Sequence, residues 1–205
     1  MVDNFTDTAF WNERYLDRNY AYGEKPNNFL RKHLSLFNSG DDILSLAEGE
    51  GRNGVYLARH GINVHAVDFS YAARDKAQEL AEKHNVLFPY EIADLSQFDL
   101  GIDKWNGIVS IFCHLPETLR PHLYQSIRAA LKVGGLFLLE AYNPGQLEFD
   151  TGGPQDISHL VPLSELMTAF QEFQLIVAQE IEREVHEGQY HNGLSSVTQL
   201  IVRKR

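Results

Sequence analysis

The stretch Ile43-Leu44-Ser45-Leu46-Ala47-Glu48-Gly49-Glu50-Gly51-Arg52-Asn53-Gly54 decides how the rest of the chain is read. A short apolar run, Ile43 to Ala47, opens into a turn spaced Gly-x-Gly-x-x-Gly. Val55 to His60 then reads as a helix stopped by Gly61. Glycines in such a turn let the backbone pass close to a ligand and adopt conformations other residues resist. The next strand, Val64 to Val67, ends in Asp68, where a carboxylate can bind ribose hydroxyls. Several cofactors carry a ribose, so the turn alone leaves the ligand open.

Outward from this turn, strands and helices alternate. Ser70 caps a helix from Tyr71 to about His84. Strands are expected at 86–92 and 107–113, with an irregular connection through Asp94-Leu95 between them. A helix over 117–131 leads through Lys132-Val133-Gly134-Gly135 into the apolar strand Leu136 to Leu139. A long Gly/Pro loop (143–161) has the length of a functional lid. A helix at 163–171 precedes a strand from Phe173, and Asn192-Gly193 signals a hairpin into the last strand, 194–203. On the other side, helices at 4–18 and 27–37 flank the aromatic loop Tyr20-Ala21-Tyr22-Gly23-Glu24-Lys25-Pro26-Asn27. The expected fold is α/β: a Rossmann-like, doubly wound, mostly parallel seven-stranded sheet. A C-terminal antiparallel hairpin strand and N-terminal lid helices complete it. Ligands on such sheets sit beyond the carboxyl ends of the parallel strands, where the unusual loops fall.

The 205 residues suit one domain, with 1–39 as N-terminal helices and lid loop and 40–205 as the core. The net charge of −10 argues against a phosphate-binding face, and Arg203-Lys204-Arg205 reads as a solubilising tail, so no nucleic-acid partner is expected. No apolar run approaches the roughly 20 residues of a membrane span, and the N-terminus does not read as a secretory signal. Cys113 has no partner for an internal disulfide and reads as a buried strand residue. The cytoplasm is the expected compartment, and oligomeric state is left open. Neither a Cys/His cluster at zinc spacing nor a Gly-x-Ser-x-Gly elbow occurs, so no metal site is expected.

Several motifs in order separate the possible cofactors: two helices and an aromatic loop before the first strand, the Lys132–Gly135 turn, and the closing hairpin. Over roughly residues 40–203 the chain resembles the class I S-adenosylmethionine-dependent methyltransferases. Phe10-Trp11-Asn12-Glu13-Arg14-Tyr15, Tyr22-Gly23-x-x-Pro26-Asn27, Glu48–Asn53 and His186-Glu187-Gly188 are similar to the tellurite-resistance and thiopurine-methyltransferase-like branch. The resemblance implies S-adenosylmethionine as cofactor, with Gly49 and Gly51 against its methionine part. It places Asp68 on the ribose hydroxyls and Phe69 beside the adenine. Asp94 would meet the adenine amino group with Leu95 nearby, and Phe112 would lie near the methionine end. The sequence departs from the family at two positions, with Ser45 for the usual first-strand acid and Ala47 for the usual first glycine. Glu48 is the candidate to supply the missing carboxylate.

Methyl transfer needs a nucleophile held in line with an activated methyl and shielded from water. Arg14, Tyr20 and Tyr22 are candidate lid residues, a cation for the cofactor carboxylate and rings for the sulfonium. His114, after the fourth strand, and His186 and His191, near the hairpin, are candidates for proton handling. The alternative for each group is structural: aromatics as core, histidines as satisfied polar residues. The ending Phe112-Cys113-His114-Leu115-Pro116 lacks the Asn/Asp-Pro-Pro-Tyr pattern of base methylators. A small-molecule acceptor is therefore expected: a thiol, a thiopurine-like ring or a metalloid oxyanion. A nicotinamide-dependent oxidoreductase and a non-catalytic adenosyl-nucleotide-binding regulator are the rival readings.

Overall fold

A computed structural model describes residues 8–205; the part of the first expected helix before Thr8 lies outside the described residues. One seven-stranded sheet organises them, in the order β3-β2-β1-β4-β5-β7-β6. Its strands are β1 (Asp42–Leu46), β2 (Asn63–Asp68), β3 (Tyr90–Ile92), β4 (Trp105–Ile111), β5 (Leu131–Tyr142), β6 (Gln174–Glu187) and β7 (His191–Arg203). β1 to β5 pair in parallel, and β7 runs antiparallel to both of its neighbours. β6 therefore points the same way as the parallel strands, and its tip reaches the same end of the sheet.

Alternation along β1 shows why both faces must be covered. Leu44 and Leu46 pack with Leu123, Ile127, Phe137 and Phe170 on one side. Ile43 faces Phe29, Val55, Leu80 and Val109 on the other. A sheet apolar on both faces is buried by helices on both. Here α5 (Arg120–Ala130) and α6 (Leu163–Ala169) cover the first face; α2 (Asn28–Lys32), α3 (Arg52–Ala58) and α4 (Tyr71–Lys83) cover the second. α1 (Thr8–Tyr15) lies against α4, where the Asn12 side chain accepts hydrogen bonds from Ser70 Oγ (2.7 Å) and the Ala72 N–H (3.3 Å).

Several element boundaries differ from the sequence expectation. The two N-terminal helices are shorter: α1 ends at Tyr15, and α2 gives way to a 3₁₀ turn at Leu34–Leu36. α3 begins at Arg52, three residues early, because Gly51 takes φ +89° and starts the helix without a side-chain cap. β3 shrinks to three residues because Val86 still bonds back to the Ala81 carbonyl at the end of α4. β4 stops at Ile111, where Phe112 turns to φ +52°. α5 is confined to Arg120–Ala130, and β5 extends well beyond Leu136–Leu139 to both sides.

The hairpin is the largest correction. Asn192 and Gly193 sit inside the ladder, opposite His186 and Val185, and the chain reverses at Gly188-Gln189-Tyr190. The cause is tertiary. Gly188 holds φ +75°, a Cβ there would lie 2.3 Å from the Ala21 carbonyl oxygen, and Gln189 N–H donates to that oxygen at 2.9 Å. The aromatic loop thus fixes the turn.

Candidate active site

A pocket of about 1140 Å³, its mouth included, opens at the carboxyl ends of the parallel strands. Its floor is the turn after β1. Ala47, where the resemblance implies a glycine, takes φ +48°, and Gly49 takes φ +62° on the pocket wall. A left-handed alanine costs about 1 kcal/mol against glycine, so the site tolerates strain where the ligand approaches. The two departures on the first strand fit each other. Ser45 Oγ donates to Glu48 Oε2, and Gly54 N–H donates to Glu48 Oε1 at 2.6 Å. With both oxygens bound internally, Glu48 holds the turn closed. Burial pushes its carboxyl up to about 7 despite those two hydrogen bonds.

Asp68 ends β2 beside this turn. Its carboxylate accepts the Gly49 N–H at 3.0 Å and the Ser70 N–H at 2.9 Å, one on each oxygen. With the Phe69 N–H also acting on it, the carboxylate, which has about four acceptor sites, keeps capacity for a further donor. Burial raises this carboxyl to about 6, against the lowering by backbone hydrogen bonds. Phe69, Ala93, Leu95 and Ile111 add apolar wall, and Asp94 stands at the rim with Oδ1 on the Ser96 N–H at 2.8 Å. A vicinal diol, a flat apolar ring and a ring amino group match these donor and acceptor sets. The residues present fit an adenosyl group.

The N-terminal segment closes the other side. Trp11, Tyr15 and Tyr22 line the pocket, with Trp11 and Tyr15 stacked at 5.5 Å. Arg14 stays off the wall: it donates to Tyr22 Oη at 3.0 Å and lies over the rings of Phe10 (4.4 Å) and Tyr190 (4.3 Å). Tyr20 also turns away, donating to the Lys76 carbonyl.

Behind the turn lies a buried ionic cluster that sequence reading missed. Arg52, on the pocket wall, pairs with Glu187 at the tip of β6 (2.6 Å). Asn27 Nδ2 donates to Glu140 Oε1 at 2.7 Å and to Glu187 Oε1 at 3.0 Å, while Arg183 pairs with both carboxylates. Burial would raise the Glu187 carboxyl, but Arg52 and Arg183 hold it below its usual range. The cluster ties the aromatic loop, the turn after β1 and the hairpin tip into one unit. It joins residues up to 160 positions apart, so no local pattern marks it.

The structure thus brings Tyr22, Glu48, Gly49, Asp68, Phe69, Asp94, Leu95, Phe112, His114 and His191 to one pocket. Gly51 does not line it. A Cβ there would lie 2.8 Å from Ala77, so this glycine serves the approach of α4 to the turn. His186 does not line it either: its side chain is 68% exposed and bonds Asn192 Oδ1. Cys113 lies past the end of β4 on the pocket wall, not within the strand, and burial pushes its thiol up to about 12.

Residues 43–135 match the family model of a methyltransferase domain. The chain thus carries a methyltransferase domain. Among solved structures, TehB from Haemophilus influenzae aligns at TM-score 0.73 and 19% identity, covering 97% of this chain and 67% of that chain. A SAM-dependent methyltransferase from Anabaena variabilis aligns at TM-score 0.70 and 18% identity, covering 100% of this chain and 96% of that chain. One from Methanosarcina mazei gives TM-score 0.67 and 14% identity, with 88% and 98% covered. At these identities the likeness is one of fold. No curated protein matches the chain in sequence. No helix among the described residues is long and apolar enough to cross a membrane.

Proposed function

We propose that the methyl acceptor is a small molecule, taken into the pocket beside the cofactor under the N-terminal aromatic segment. The observation that carries this reading is the enclosure of the pocket. Trp11, Tyr15 and Tyr22 from the N-terminal segment and His191 from β7 wall the strand-end site, which leaves a chamber and not an open groove for a polymer. The formal charge of −10 agrees, because a nucleic-acid substrate would meet net repulsion. The motifs shared with the tellurite-resistance and thiopurine-methyltransferase-like branch also favour a small acceptor.

The cofactor in this reading is S-adenosylmethionine, which when bound supplies an electrophilic methyl group. In this reading Asp68 and Asp94 orient the adenosyl part, Glu48 and Gly49 shape the floor beneath the methionine part, and Phe112 packs near it. Tyr22 and its neighbours exclude water, and Arg14 steadies Tyr22 from behind. His114 and His191 are the residues placed to handle a proton from the acceptor; His186 has no part in it.

Calorimetry with S-adenosylhomocysteine tests the cofactor half of this reading. Micromolar-range binding is expected, with a raised melting temperature through mass action and no comparable effect of NAD or NADP. A methyl-transfer screen against thiols, heterocycles, oxyanions and oligonucleotides tests the rest. Transfer only to the oligonucleotides would refute the small-molecule reading.

A further inference from the structure

Past the cofactor residues the pocket ends in a wall containing Cys113, His114, Leu115, Leu119 and His191. His114 is 8% exposed, and its Nδ1 lies 3.2 Å from the His159 carbonyl oxygen. A carbonyl can only accept, so Nδ1 carries the hydrogen and the neutral ring leaves its lone pair on Nε2. That Nε2 is buried and meets no hydrogen-bond partner among the described residues. The ring is also fixed in orientation, stacked on Tyr142 at 5.4 Å and 11°. Burial lowers its pKa to about 4, so it stays neutral near pH 7. A buried acceptor without a protein partner is left for a donor from a ligand, or for a water that a ligand's donor can replace.

We propose that His114 Nε2 accepts the hydrogen of the nucleophilic atom. The methyl acceptor is then an uncharged X–H compound with an apolar body, such as a thiol or a ring N–H, and not an oxyanion. The inference rests on the methyl-transfer reading above and narrows its substrate class. The nucleophilic centre of a metalloid oxyanion is the metalloid lone pair, which carries no hydrogen for Nε2 to take. The guanidiniums nearest this wall are paired, Arg52 with Glu187 at 2.6 Å, Arg120 with Glu165 at 2.7 Å and Arg183 with Glu140, while Arg14 stands off the wall behind Tyr22. Both His114 and His191 are held uncharged by burial. A desolvated anion would therefore face Leu115, Leu119 and neutral imidazoles. In the transfer, the X lone pair forms the X–CH₃ bond, and the S–CH₃ bond breaks with its electron pair kept by sulfur. His114 Nε2 takes the X–H proton and passes it to water, a release favoured by the low basicity of the buried ring.

The experiment is two-bond ¹H–¹⁵N spectroscopy of the histidine-labelled full chain, with and without S-adenosylhomocysteine. Three probes are added: benzyl mercaptan, benzyl methyl sulfide and selenite. The expected result is an Nδ1-protonated His114 in the protein alone, whose Nε2 resonance shifts with benzyl mercaptan only. His114→Phe keeps the stack on Tyr142; it should bind S-adenosylhomocysteine as before and benzyl mercaptan about fivefold more weakly, the loss of one ordinary hydrogen bond. An Nε2-protonated tautomer, tighter binding of selenite than of the thiol, or an equal response to the methyl sulfide would overturn the proposal. The tautomer is read without any ligand, so failure of S-adenosylhomocysteine to bind would count against the cofactor reading alone.

Discussion

Removing the Asp68 side chain separates its role in binding from its role in the fold. The carboxylate is buried at the pocket wall, held by backbone donors from Gly49 and Ser70, and keeps acceptor capacity toward the pocket for ribose hydroxyls. Two hydroxyl contacts to a charged acceptor contribute about 1.5–3 kcal/mol together. Asp68→Ala should then raise the S-adenosylhomocysteine Kd by about 10- to 150-fold at pH 8. The raised carboxyl adds an internal control. With its pKa at about 6, the wild-type group is ionised at pH 8 and mostly protonated at pH 5. Ribose hydroxyls stabilise the ionised form, so wild-type affinity should fall by about tenfold between those pH values while the variant changes little. Titration calorimetry at pH 5 and pH 8 reads both effects. If a folded variant binds as tightly as wild type, or its deficit is the same at both pH values, Asp68 is not the ribose ligand.

Three further outcomes follow from the same geometry. Glu48→Gln preserves a partner for Ser45 and for Gly54 while removing a buried charge. The folded-state pKa, about 7, lies above the ordinary value, so the stability Glu48 contributes at low pH is lost as pH rises through 7. The variant should match wild type near pH 5 and melt higher at pH 8, by an amount on the order of 1–3 kcal/mol; scanning fluorimetry showing the opposite pH trend would refute this. Gly188→Ala forces a left-handed alanine against the Ala21 carbonyl. It should cost about 2 kcal/mol or more and speed hydrogen exchange in residues 20–24; an unchanged melting temperature would show that the loop does not fix the turn. Arg52→Ala strands a buried Glu187, so a loss of about 3–5 kcal/mol is expected in urea unfolding, and a loss under 1 kcal/mol would mean that Arg183 suffices.

The sequence by itself determined the class of the sheet and the end of it at which the pocket opens. Ile43–Gly54 and Asp68 could be read because a strand, a glycine turn and a strand-end acid are local patterns, set by backbone sterics and side-chain periodicity within some 25 residues. His114 was legible by the same logic of strand ends, whereas Asp94 and Phe112 came from the resemblance to the methyltransferases. Tertiary structure alone decided which candidates share the pocket. Gly51 matches the glycine motif but spends its missing side chain on Ala77, and His186 lies on the outer face of a strand whose partner register sequence could not give. The hairpin signal at Asn192-Gly193 was a sound local preference overridden by Ala21, more than 160 residues away, whose carbonyl receives Gln189 and leaves room only for glycine at 188. The same distance hid Arg52–Glu187 and the Asn27 bridge, because the desolvated charges on these residues find their partners only after the sheet has closed around them.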